Sequence, residues 1–88
     1  MDIAVWDTYI EREDAKVMHF DILVPNHQNN DEQSVFDFGM HYLKTKSFKT
    51  GTLTTNECRF CHIGKATEDI LSEIAKNGYA ILEMENCD

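Results

Sequence analysis

Residues 2–24, DIAVWDTYIEREDAKVMHFDILV, decide the fold. Two stretches in it, 2–10 and 16–24, are rich in β-branched and aromatic residues that alternate with period two, the pattern of strands with one buried face. The polar EREDA between them is short enough for a hairpin loop. Pairing Ile10 with Lys16 places Trp6 opposite Phe20, Ala4 opposite Ile22 and Thr8 opposite Met18 on the face expected to form the core. A one-residue slip would exchange the two faces, so the choice of inward residues is strongly specified. The other face carries Val5, Asp7, Tyr9, Val17, His19, Asp21 and Leu23, with Asp7 across from His19.

Beyond Pro25, NHQNN reads as a loop. A helix is expected from about 31 to 45, capped by Asn30 or Asp31, with Gln33 placed as in a capping box. Acidic residues stand in its first turn and Lys44 and Lys46 at its end, as the helix dipole favours. Val35, Phe36, Gly39, Met40, Tyr42 and Leu43 form its apolar stripe. Gly39 costs about 1 kcal/mol against alanine in a helix, which points to close packing on the sheet. In the polar connection 46–56, Phe48 and Leu53 are expected to tuck inward. ECRFCHI, 57–63, reads as a third strand. Thr67 caps a second helix, 68–77, with Ile70, Leu71, Ile74 and Ala75 toward the core and Gly78 as its left-handed stop. YAILEME, 79–85, is the last strand, with Ala80, Leu82 and Met84 inward. The expectation is a single α+β domain over 1–88, in ββαβαβ order, with two helices on one face of a mixed sheet. Trp6 belongs to the core, while Phe38 at the margin of the stripe is a candidate exposed anchor.

Eighty-eight residues suit one core. Sixteen acids against eight Lys and Arg give a formal charge of −8. That balance argues against nucleic acid and anionic membrane as partners, because both need clustered basic groups. The expected partner is an unknown protein or a second copy of the chain, as in a homodimer. MDIAVWDTYIER has neither the basic start nor the apolar run of a signal peptide, and the expected localisation is cytoplasmic.

Two segments carry candidate chemistry. The first is NECRFCHIG, 56–64. A flat strand sends Cys58, Phe60 and His62 one way and Arg59, Cys61 and Ile63 the other. A zinc site needs the backbone to turn between the cysteines instead, and RF is a poor tight-turn dipeptide. Cys58, Cys61, His62 and the distant Cys87 nevertheless form an adequate soft set for zinc. Cys58 and Cys61 are also the candidate pair for thiol redox chemistry, while a covalent haem handle is disfavoured in a chain with no export signal. The bland alternative is thiols packed as small hydrophobes. The second candidate is the polar cluster Asp7, His19 and Asp21, where carboxylates beside an imidazole can orient a base or a metal-bound histidine. No serine stands in a recognisable nucleophile context.

AVWDTY, MHFDILVP, CRFCHI and EMENC, in this order, make the chain similar to the small bacterial family catalogued as domain of unknown function number two thousand and twenty-four. The resemblance spans essentially the whole chain. It implies an α+β domain of about this length and brings no activity, substrate or cofactor with it. Members often carry Asp-Gly at the hairpin tip where this chain has Asp14-Ala15, and an alanine forced to positive φ costs roughly 1 kcal/mol.

Three readings follow. The leading one is a non-enzymatic interaction or regulatory module. The second is a zinc-binding domain built on the cysteine segment, with His19 as a possible additional ligand. The third is a thiol redox protein using Cys58 and Cys61.

Overall fold

The computed structural model describes residues 2–26 and 31–88. Of the loop read at 26–30, residues 27–30 lie outside them, and with them the capping option at Asn30. The elements run β1 (Asp2–Glu11), β2 (Val17–Pro25), α1 (Glu32–Leu43), β3 (Cys58–Lys65), α2 (Glu68–Asn77) and β4 (Ala80–Glu85). The strands form one sheet in the order β3-β1-β2-β4, and every neighbouring pair is antiparallel. The expected mixed sheet is therefore corrected. The hairpin supplies the two central strands, and the strands that follow each helix add to its two outer edges.

The inward face of the hairpin is the predicted one: Ala4, Trp6, Met18, Phe20 and Ile22 are all buried. The register is not. Trp6 pairs with Ile22, Thr8 with Phe20, Tyr9 with His19 and Asp7 with Asp21. Each β2 partner lies two residues further along the strand than expected, a shift that leaves every side chain on its own face. The turn explains the shift. Arg12 N–H donates to the Lys16 carbonyl, Ala15 N–H donates to the Arg12 carbonyl, and Asp14 accepts from Lys16 N–H, closing a loop over 12–16. Ala15 takes φ 69°, the left-handed region.

The helices cover opposite faces, which corrects the expected placement on one. Val35, Tyr42 and Leu43 of α1 close the first core with Trp6, Phe20, Ile22, Val24 and Leu53. Helix α1 starts at Asp31, whose side chain accepts from Ser34 N–H at 3.2 Å. Gly39 lets it lie against Ile22 and Leu53, where a Cβ would come within 2.3 Å of Leu53 Cδ1. Phe48 packs on this core beneath the Arg12 guanidinium. Phe38 stacks on Tyr79 at 4.8 Å, so it is part of the packing and not an exposed anchor.

Helix α2 packs Ile70 and Ile74 on a second, smaller cluster formed by Ile3, Val5, Leu23 and Ala80. Its cap is Thr67, and Gly78 at φ 84° ends it, as read from the sequence. Ala75 is exposed, and of the inward set expected on the last strand only Ala80 is buried. The cause is that α2 covers one end of this face alone. Ile81, not Leu82, joins the first core, while Leu82 and Met84 are half exposed. Among the described residues no helix is long and apolar enough to cross a membrane.

Candidate metal centre

Along β1 and β2 the second sheet face changes character. Ile3, Val5 and Leu23 lie under α2, and from Asp7 onward the same face is uncovered and polar. Asp7 and Asp21 are direct cross-strand partners there, and His19 precedes Asp21 by two residues on the same side. Tyr9 stacks on the His19 ring at 4.1 Å and 13°, which holds the imidazole upright. One ligand atom from each of Asp7, His19 and Asp21 lies within 4.8 Å of the others. No other three His, Cys, Asp or Glu side chains converge in this way among the described residues.

The electrostatics are those of two carboxylates set against one imidazole, with Arg59 the cross-strand partner of Asp7 on its other flank. Asp21 is only 6% exposed, and its Oδ1 lies 3.7 Å from His19 Nε2. Neither atom has a hydrogen-bond partner among the described residues. Burial, and then the hydrogen bond and charge of Asp7, push the Asp21 carboxyl up to about 7. Like-charged carboxylates facing each other across a strand pair are destabilising unless something positive joins them.

The cysteine set is not brought together. Cys58 is fully buried in the first core, paired with Thr8, and burial pushes its thiol up to about 11. Cys87 follows β4 and donates to the His19 and Glu85 carbonyls at 3.3 Å. Two central strands separate the edges that carry these two thiols, roughly 14 Å at the usual strand spacing. Cys61 is exposed on the other side of β3. Three residues of strand span roughly 10 Å, beyond the ~7 Å Cα limit of a disulfide, so the folded chain keeps Cys58 and Cys61 apart. The pleat read from the sequence is the physical reason.

A bulge alters what Cys61 meets. Val5 pairs with His62 and Trp6 with Phe60, leaving Cys61 as the extra residue. The neighbouring Asp7 carboxylate pushes its thiol pKa up. His62 Nδ1 stands 3.2 Å from Cys61 Sγ. Cys61 lines a shallow depression with Asp7, Tyr9, Arg59 and Phe60, beside the cluster but outside its converging donor atoms.

The chain is similar over its whole length to a solved structure, the NMR structure of protein NE1680 from Nitrosomonas europaea. The identity is 38%, the TM-score 0.84, and 100% of each chain is covered. No curated protein matches it. The model of the family described as Domain of unknown function (DUF2024) matches residues 1–84, and the chain belongs to that family.

Proposed function

We propose that the chain is a non-enzymatic regulatory domain that binds a divalent transition-metal ion through Asp7, His19 and Asp21. The observation that carries this reading is the facing pair of buried atoms, Asp21 Oδ1 and His19 Nε2, which have no hydrogen-bond partner among the described residues, with Asp7 beside them. Burying polar atoms without partners costs about 1–3 kcal/mol for each group, and an ion between them supplies what both lack. Two carboxylates and one imidazole are mixed oxygen and nitrogen donors, suited to zinc, manganese or iron.

The regulatory part of the reading rests on the surroundings. The cluster lies on an open sheet face, and Tyr9, Val17 and Leu82 around it are about half exposed. Binding an ion replaces a focus of negative charge among apolar side chains with a near-neutral one, which changes what that face can dock.

Calorimetric titration of chelator-treated protein with zinc or manganese tests the reading. Saturable binding of one ion per chain is expected, lost in His19→Ala and in Asp21→Asn. Absence of binding by the unsubstituted chain, or equal binding by both variants, overturns it.

A further inference from the structure

We propose that the uncovered half of the second sheet face docks a basic amphipathic helix of a partner protein, and that an ion at Asp7, His19 and Asp21 excludes it. The docking follows from the face itself, and the exclusion rests on the preceding reading of those three residues as the ion site.

Shape is the first argument. Helix α2 lies over Ile3, Val5, Leu23 and Ala80 at one end of this face. Beyond it the register sets Asp7, Asp21 and Leu82 in one row across the strands, Tyr9 and His19 in the next and Val17 in a third. Among the described residues no second helix covers these rows. Rows two residues apart stand roughly 7 Å from each other, so three rows span roughly 14 Å, and four strands span about the same. A helix is about 10 Å wide and crosses that distance in about ten residues, so the free half has room for one helix beside α2.

Composition is the second. Tyr9, Val17 and Leu82 are each about half exposed. Acids stand among them: Asp7 at the middle, Glu11 opposite Val17 and Glu85 opposite His19, the last two fully on the surface. Arg59, at the β3 margin, donates its Nε to the Thr55 carbonyl at 2.9 Å. Apolar side chains set among carboxylates match a helix whose apolar stripe is flanked by Lys or Arg. The same chemistry disfavours a second copy, because the chain carries a charge of −8 and its helix α2 would bring Glu68, Asp69 and Glu73 against a single Lys76.

Asp7 couples docking to the ion. A carboxylate that is neutralised by an ion has no charge left for the cation of a partner. Ion and helix must then weaken each other by the same factor.

The probe is a labelled amphipathic peptide of about fourteen residues, leucine on one face and lysine on the other, and its twin carries glutamate for lysine. Fluorescence anisotropy in the presence of chelator should show saturable binding of the lysine peptide and none of the twin. Asp7→Asn and Leu82→Ser should each weaken binding at least about fivefold. Asp37→Asn removes an exposed acid of α1, on the opposite side of the sheet, and should leave binding unchanged. Saturating zinc in place of chelator should weaken binding at least about tenfold. No saturable binding, equal binding of the twin, or equal binding by all three variants overturns the docking. Binding that is localised by the variants but unmoved by saturating zinc overturns the exclusion. Calorimetry without peptide reads the ion site alone: if zinc fails to bind there, the ion reading falls with the exclusion, and docking on the metal-free face stands.

Discussion

Asp21 Oδ1 faces His19 Nε2 across 3.7 Å, and both atoms are shut off from solvent without a hydrogen-bond partner among the described residues. A fold selected for stability alone would fill such a gap with a donor or with apolar atoms. Here the gap adjoins a second carboxylate, Asp7, in direct register with Asp21. Local choices that conflict with stability gather where a protein holds something, and this arrangement is the reason to place the site on the hairpin.

The first prediction concerns Asp21→Asn. The amide removes one of two opposed carboxylates and can donate to Asp7. The metal-free variant should be more stable than the original chain at neutral pH, by on the order of 1–2 kcal/mol, as removal of uncompensated buried charge commonly is. Urea denaturation reads the change. Lower stability would mean that the carboxylate is already compensated in the metal-free fold.

The hairpin tip gives the second. Ala15 sits at φ 69°, where glycine is comfortable and alanine is not. Ala15→Gly should raise stability by about 1 kcal/mol, since relief of the left-handed strain outweighs the greater freedom of the unfolded glycine. An unchanged or lowered melting temperature would show that the turn, held by Asp14 and Arg12, carries no such strain.

How far these features were legible differs from element to element. Period two identifies which hairpin residues face inward, and it identifies them correctly because the pattern depends on parity alone. For the same reason it is blind to a two-residue shift, so Asp7 was paired with His19 when its partner is Asp21. Strand direction and order depend on long connections, and nothing local in CRFCHI says which edge it joins. The two-sided placement of the helices did leave a signal. Ile3, Val5 and Leu23 put an apolar end on a face whose other end is Asp7, His19 and Asp21, so a cover over half of that face was implied. The bulge at Cys61 left none, because nothing in the alternation of CRFCHI marks an extra residue.

Cys58 supplies the third prediction, a pH dependence. Burial raises its folded pKa to about 11 from an ordinary value of 9.0. The folded chain therefore keeps a proton that the unfolded chain releases between these values. Stability present below about pH 9 is lost as pH climbs through about 11, by roughly 1–3 kcal/mol from this group. Denaturation of the original chain and of Cys58→Ala at pH 8 and pH 10.5 isolates the contribution: the variant should be less stable at both, with the gap narrower at the higher pH. Parallel pH profiles for the two proteins would remove the linkage to this thiol.

Gly39 gives the last. On propensity alone, Gly39→Ala should strengthen α1 by about 1 kcal/mol. Packing opposes it: the added Cβ would stand 2.3 Å from Leu53 Cδ1 and 2.8 Å from Ile22 Cδ1. Both obstacles are methyl ends of buried side chains, so they can move aside only by displacing other core atoms. Overpacking of this kind costs about 1–3 kcal/mol, and the net expectation is destabilisation, seen as a lower urea midpoint with an unchanged slope. The Leu53→Ala background separates the two effects. Removing the nearer obstacle leaves only the milder overlap with Ile22, so Gly39→Ala should cost less there or become favourable. An equal loss in both backgrounds would show that Leu53 is not what keeps this position a glycine.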